Sequence, residues 1–434
     1  MNTTILLFTR DLRVRDNPAL EAACAGGQVV PLFVLDEAIL SGPHAPPNRV
    51  RFLLDALGAL RDSLRALGGD LAVRRGDPAR EVARLAAETG ARALALADDR
   101  SAYARRRLAA LGDLGLEVSA HPGITIAPPG GLTPATGDHY RVFTPFWRAW
   151  TAARHRPVAG TPGTIRMPPG VDPGPLPRLA ELTSGAPSPD LATGGEPAGR
   201  RRMAAWLDEA AADYDRARDD LAADRTSRLS PYLKFGCVSP LELANATPEG
   251  FRRQLAWRDF HHQVAAAFPD LPRRDYRPRG GRRWNRDEGA LAAWREGMTG
   301  VPIVDAGMRQ LRREGFMHNR ARMITASFLT RNLGIDWRSG LRHFDEWLAD
   351  GDVADNAGNW QWVAGTGNDT RPNRVLSPLR QAARFDRDGE YVRTYVPELA
   401  DIAPSHVHRP WALPAAARRT LDYPPPIVDL EWPQ

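Results

Sequence analysis

The chemistry-bearing residues of this chain gather in its second half, in short segments whose spacing sets unlike groups on common faces. Thr226-Ser-Arg-Leu-Ser230 offers hydroxyls and a guanidinium beside backbone N–H groups at an expected helix start. That suits an anion such as a pyrophosphate, and a plain helix cap is the other reading. Gln254, Trp257 and Arg258 stand at i, i+3 and i+4, so one helical face carries an indole beside an amide and a guanidinium. Such a face stacks on and hydrogen-bonds an extruded base, or belongs to an amphipathic core helix. Asn319, Arg322 and Met323 also share a face. An arginine buried there needs a carboxylate, because an unpaired buried charge costs roughly several kcal/mol. The pairs His261-His262 and His406/His408 lack further ligands at metal spacing, so no metal site is expected.

Tryptophan is the second signal. Of 12 tryptophans, all but Trp147 and Trp150 lie beyond residue 200, at 206, 257, 284, 294, 337, 347, 360, 362, 411 and 432. Aromatic rings fill helical cores by default. Indole is also among the more easily oxidised side chains, so a dense cluster can carry electrons.

Charge points to a polyanionic partner. The net charge is +6 and the pI near 9.7, with Lys234 the only lysine. From Pro272 to Arg286 there are seven arginines and one aspartate, interleaved with Tyr276, Pro278 and Trp284. A phosphate-contacting rim and a solvated basic loop are the two readings. No apolar run reaches the about 18 residues of a membrane helix. The opening Met-Asn-Thr-Thr-Ile-Leu-Leu-Phe reads as a first strand, and Cys24 and Cys237 alone exclude a disulfide framework; both features fit a cytoplasmic protein.

These residues need elements to position them, and 434 residues predict more than one domain. Residues 1–126 alternate short apolar runs with helical periodicity. Strands are expected at Ile5–Phe8, Val29–Leu35, Leu71–Val73, Ala93–Ala97 and Glu117–Ser119, and helices at Asn48–Leu67, Pro78–Thr89 and Tyr103–Leu114. The pattern is a doubly wound parallel α/β sheet without a G-x-G-x-x-G fingerprint. Residues 127–200 read as a Pro/Gly-rich connector with one helical insert at Thr144–Arg154, and 201–434 as all helical.

Five segments together resemble the photolyase/cryptochrome family, closest to class I cyclobutane pyrimidine dimer (CPD) photolyases. They are Phe8-Thr-Arg-Asp-Leu-Arg-Val-Arg-Asp-Asn-Pro-Ala-Leu, Thr226-Ser-Arg-Leu-Ser-Pro-Tyr-Leu, Gln254-Leu-Ala-Trp-Arg-Asp-Phe, Pro302-Ile-Val-Asp-Ala-Gly-Met-Arg-Gln-Leu with Met317-His-Asn-Arg-Ala-Arg-Met, and Asp350-Gly-Asp-Val-Ala-Asp-Asn with Trp360-Gln-Trp. The resemblance implies an α/β antenna domain, a linker and a helical domain holding FAD, active as FADH⁻, for light-driven repair of UV-damaged DNA by a monomer. By resemblance Thr226, Ser227, Arg228, Leu229 and Ser230 grip the FAD phosphates, with Tyr214 and Phe251 nearby. Arg322 pairs with Asp350 beside the flavin, Asp352 joins the flavin shell, and Asn356 faces flavin N5, an Asn as in photolyases where plant-type cryptochromes carry Asp. Gln254, Trp257, Arg258, Asn319, Arg320, Met323, Trp362 and Gln381 face lesion or DNA, with Arg218 at the DNA surface. The family's electron chain maps onto Trp360, Trp337 and Trp284, inside to outside.

The match departs from the family at three places. Gln254 replaces a usual Glu, as in (6-4) photolyases, yet Asn319 and Met323 stand where those enzymes carry a His pair; CPD repair is therefore the expectation, with (6-4) repair or a cryptochrome-like photoreceptor as alternatives. Ser377 replaces an Asn before Pro378. Ala104 and Arg105 replace the amide–carboxylate pair that holds a folate, which favours an 8-hydroxy-deazaflavin antenna over a folate, with an empty site as the alternative.

Overall fold

The computed structural model describes residues 2–278, 283–371 and 374–430. Strands β1 (Asn2–Phe8), β2 (Gly27–Asp36), β3 (Ala72–Gly76), β4 (Ala93–Ala97) and β5 (Glu117–His121) form one sheet, all parallel, in the order β3-β2-β1-β4-β5. Successive side chains of a strand point to opposite faces, and here both faces are buried. Ile5, Leu7, Val30 and Leu32 pack under helices Pro78–Thr89 and Ala102–Gly112. Leu6, Phe8, Val29 and Phe33 pack under helices Pro18–Ala25 and Pro47–Ala66. The expected elements are present with ends shifted by a few residues. β3 runs past the expected Val73 into Arg74 and Arg75, which its position at the sheet edge allows.

The second of these cores does not stop at the sheet. Phe52 packs against Tyr232 and Phe235 of the helical region, with ring centres 5.1 Å apart in each case. The Leu12 N–H donates to the Phe235 carbonyl at 3.1 Å. Gly236, at φ +68°, lets the chains touch: a Cβ there would lie 2.0 Å from the Arg10 carbonyl oxygen.

The Pro/Gly-rich connector is laid along the sheet edge by backbone hydrogen bonds. The Val29 N–H donates to Arg166 O and the Val73 N–H to Pro173 O, each at 2.8 Å. Its helical insert spans Phe143–Ala152. Beyond residue 195 the described residues form helices, apart from one bridge between Asn285 and Ile335. Helices Glu249–Ala267, Asn319–Ser327 and Val353–Ala364 surround the site.

Candidate functional site

A cavity of about 490 Å³ opens among these helices. It gathers most of the residues singled out from sequence: Tyr214, Arg218, Thr226 to Ser230, Phe251, Gln254, Trp257, Arg258, Asn319, Arg320, Arg322, Met323, Asp350, Asp352, Asn356, Trp360 and Trp362. Trp337, Trp284 and Gln381 stand outside its lining.

One end is a loop that runs into the expected helix start. Helix Ser230–Lys234 has only five residues, its N-cap is Leu229, and no side chain caps it. Ser227 Oγ accepts from the Leu229 N–H at 3.3 Å, and the Ser230 hydroxyl donates to Asp350. The hydroxyl of Thr226 is buried with no hydrogen-bond partner among the described residues. Arg228 holds φ +53°, a costly conformation for a non-glycine residue. Asp224 at 2.6 Å and Glu314 at 2.7 Å fix its guanidinium, and the Phe316 ring lies 4.9 Å from it. Tyr214 and Phe251 pack edge to face at 5.1 Å on the same side.

Carboxylates dominate the opposite wall. Arg322 Nη2 donates to Asp350 Oδ2 at 2.7 Å and its Nε to Met317 O at 2.8 Å, so the half-buried arginine has its partner. Asp350 Oδ1 is buried without one among the described residues. Asp352 caps helix Val353–Ala364 by accepting from Ala354 N at 2.9 Å and Asp355 N at 3.2 Å. Its other oxygen meets Arg10, which comes from the loop after β1 and also lies 3.5 Å from Asp99. Burial would raise the Asp352 carboxyl, but Arg10 and then His262 outweigh it and hold it well below the usual range. The Asn356 side chain donates to Asp345 Oδ1 at 2.7 Å. Burial raises the Asp345 carboxyl, against the pull of Arg49. Burial lowers the Lys234 amine well below its usual range, helped by Arg49 and Arg10.

At the mouth, Trp257 stacks on Phe143 of the connector helix at 3.7 Å and 6°, which fixes the plane of its indole. Gln254 and Met323 are half-buried and Asn319 is exposed, its amide 3.9 Å from Met323 Sδ. Three arginines expected at DNA or lesion line the cavity and also hold protein groups. Arg258 donates to Ile124 O at 2.6 Å and Leu233 O at 3.4 Å, tying helix Glu249–Ala267 to the chain leaving β5. Arg320 pairs with Asp219 at 2.8 Å and lies over the Phe385 ring, while Arg218 pairs with Asp215 at 3.5 Å. Gln381 sits half-buried on helix Pro378–Phe385. Trp362 carries the Arg374 guanidinium 5.3 Å above its ring.

Trp360 is 2% exposed and Trp337 0%, whereas Trp284 is half-buried near the surface. Helix Trp337–Trp347 meets Trp360 at Gly340, where a Cβ would lie 2.1 Å from the indole. Of the basic run, residues 279–282, including Arg279 and Arg282, lie outside the described residues, as does Trp432. Its one acid, Asp275, is no rim residue: it accepts the Trp337 indole N–H at 2.9 Å.

The fold also assembles what spacing hid. His262, Asp352 and Asp355 bring ligand atoms within 4.8 Å of one another, although the sequence offered His262 no further metal ligands nearby. Arg10 already stands on Asp352 as the cation of that group. Arg10, Asp345, Lys234 and Asp275 were not read from sequence as site residues. Only Arg10 had a signal, its place in the Phe8–Leu20 segment.

Comparison with known proteins follows the same division. Residues 4–163 match the family described as "DNA photolyase", and residues 251–433 the "FAD binding domain of DNA photolyase". The chain is 51% identical to a deoxyribodipyrimidine photo-lyase of Streptomyces griseus, over 99% of this chain and 97% of that one. It is 39% identical to one from Halobacterium salinarum, over 97% and 95%. Among solved structures, a bacterial class III photolyase from Agrobacterium tumefaciens superposes with a TM-score of 0.91 at 36% identity, covering 99% of this chain and 95% of that one. An archaeal photolyase from Sulfolobus tokodaii with two FAD molecules gives 0.87 at 32%, covering 99% and 96%.

Proposed function

Because this chain belongs to the DNA photolyase family, we propose that it is a light-driven lyase that splits cyclobutane pyrimidine dimers in DNA. The observation that carries this reading is the cavity that joins the Arg322–Asp350 pair, Asn356 and the stacked Trp257 in one space of about 490 Å³.

The residues present fit FAD. Thr226 Oγ1, Asp350 Oδ1 and Trp360 Nε1 are buried polar atoms of this one cavity, without partners among the described residues. Cations and a hydroxyl at the loop end suit phosphates; carboxylates and an amide at the other suit the N–H and N atoms of a flavin ring. Thr226, Ser227 and Arg228 would hold the phosphates, with Asp350, Asp352 and Asn356 along the ring. Reduced FAD supplies the excited-state electron that opens the dimer and receives it back.

The protein's own part is to bind, orient and keep dry. Phosphate contacts from the basic face hold the duplex, and the lesion leaves the stack at a cost of about a few kcal/mol, least where damage has weakened stacking. Trp257 offers a fixed plane to the extruded bases, and Gln254, Asn319 and Met323 line their edge. Asn319 and Met323 provide no imidazole acid, which favours the cyclobutane lesion over the (6-4) product. Gln254 can donate a hydrogen bond to the dimer but no proton.

Three finer statements complete the proposal. Residues 1–126, 127–200 and 201–434 act as antenna domain, linker and catalytic domain. The antenna is an 8-hydroxy-deazaflavin, supported by Ala104 and Arg105 in place of a folate-holding pair. The partner is UV-damaged duplex DNA, bound by a monomer in the cytoplasm. The test is illumination of the flavin-reduced protein with oligonucleotides carrying one cyclobutane dimer or one (6-4) product. Light-dependent restoration of the first alone is expected; restoration of neither, or of the second alone, would refute it.

A further inference from the structure

Trp360 lines the cavity with Trp294 and Trp337 buried outside it, and the three indole N–H groups meet three different things. Trp360 Nε1 is buried with no partner among the described residues. Trp294, edge-on to Trp360 with ring centres 6.1 Å apart, donates to the Thr325 backbone carbonyl at 3.0 Å. Trp337 donates to the Asp275 carboxylate at 2.9 Å. Asp275 is held in turn by Arg338 at 2.8 Å, whose guanidinium lies 4.5 Å over the Trp337 ring and reaches Asp336 at 3.1 Å. Asp275 and Asp336 both pair with that guanidinium, and Asp275 is the acid that touches the indole, which no solvent reaches.

We propose that Asp275 sets the direction in which positive charge leaves the flavin site, drawing it from Trp360 onto Trp337 and not onto Trp294. The inference rests on the electron-chain assignment of Trp360 and Trp337 to photoreduction of bound oxidised FAD. In light, Trp360 gives one electron to the flavin. Trp337 then gives one to Trp360, which becomes neutral again, and the hole stands on Trp337. No bond breaks: the Trp337 N–H stays on its nitrogen, shared with Asp275. Once the indole is a cation, that hydrogen bond joins opposite charges and strengthens. At Trp294 the same charge would meet a neutral carbonyl, the stacked Phe344 and the His343 ring 5.5 Å away, with the Glu346 carboxylate held on the imidazole and not on the indole N–H.

The experiment uses full-length protein with oxidised FAD bound. Transient absorption reads the indole radical, and steady illumination with an external reductant reads the photoreduction rate. Asp275→Asn keeps an acceptor for the indole N–H and removes only the charge; the yield of long-lived indole radical and the photoreduction rate should both fall at least about fivefold. Asp275→Glu should recover most of that loss, and Trp294→Phe should leave the rate unchanged. Wild-type photoreduction in Asp275→Asn, with Trp337→Phe blocked, would overturn the role of Asp275 and leave the chain intact. Wild-type photoreduction in Trp337→Phe would overturn the chain itself. A loss in Trp294→Phe equal to that in Asp275→Asn would show the charge leaving by the other indole, and would also overturn the proposal.

Discussion

Arg10 and Asp352 form one ion pair across 342 residues of sequence, the first at the carboxyl end of β1, the second at the head of helix Val353–Ala364. The pair joins the parallel sheet to the wall of the cavity. Arg10 serves Asp99 as well, so one guanidinium compensates two buried carboxylates. Asp99, like Asp352, is lowered although burial acts to raise it.

Removing that guanidinium should therefore cost more than a surface pair. Arg10→Ala takes the guanidinium from two buried acids, leaving His262 as the nearest cationic group, and we expect a loss of about 3–5 kcal/mol in urea unfolding together with weaker FAD retention. Adding Asp352→Asn to Arg10→Ala should restore part of the stability. An Arg10→Ala protein as stable as wild type would contradict the pairing.

Trp360→Phe should block light-driven reduction of bound oxidised FAD, because the first donor is gone. Dimer repair by protein reduced chemically beforehand should persist, since that electron passes from flavin to lesion directly. The rate of flavin bleaching under illumination checks the first statement and product analysis the second.

Gln254→Glu should raise the yield of cyclobutane repair per absorbed photon, since a protonated Glu can share a proton with the opened dimer where an amide cannot. Affinity should change little, because a half-buried Glu in this pocket can keep its proton and its acceptor oxygen. Gln254→Ala should lose both yield and affinity, the latter by about 1–3 kcal/mol for a stranded polar partner. A photon-counted repair assay and a binding titration separate the two.

Acid should loosen one wall of the site. His318 caps helix Asn319–Ser327 by accepting the Arg320 N–H at Nδ1, 3.1 Å away, which requires a neutral ring. Burial pushes it down to about 4. Unfolded, it titrates near about 6.5, so the folded chain binds fewer protons between these values. The stabilisation is whole above the unfolded value and declines as pH falls towards about 4, by about 3 kcal/mol in all. Asp305 and Asp386, raised by burial to about 6, slope the opposite way over an overlapping range. The measurement is therefore a difference: His318→Asn caps without titrating, and its unfolding midpoint should fall less than wild type between about pH 7 and about pH 5.

Much of this was legible in the sequence where local pattern decides structure. Ile5–Phe8 reads as a strand because both its faces are buried and no polar residue interrupts the run. Pro78–Thr89 reads as a helix with the bounds observed, because Asp77 caps it, Pro78 opens it and Gly90 closes it in the left-handed region. Arg322 announced its need for a carboxylate, and the fold supplies Asp350. What a charge meets at long range was not legible. Arg258 and Arg320 look alike as exposed basic residues until folding brings Ile124 O to one and Asp219 to the other. Asp275, counted as a minor offset within a basic loop, turns inward because Trp337 and Arg338 arrive from 60 residues further on. At helix Ser230–Lys234 the cap position falls on Leu229, and Ser230, the first helical residue, gives its hydroxyl to Asp350, a partner 120 residues away.

The apolar face of helix Pro47–Ala66 that Tyr232 and Phe235 cover has a cost during synthesis. The ribosome releases Phe52 and its neighbours long before it reaches residue 235. At translation speeds of about 5–20 residues per second, the finished α/β domain waits about 5–20 s with that helix face bare. Through that interval the nascent chain presents an adhesive surface to its neighbours on the polysome. Slow stretches of message between residues 126 and 235 would lengthen the exposure, so expression yield should depend on codon choice there more than in the helical region downstream.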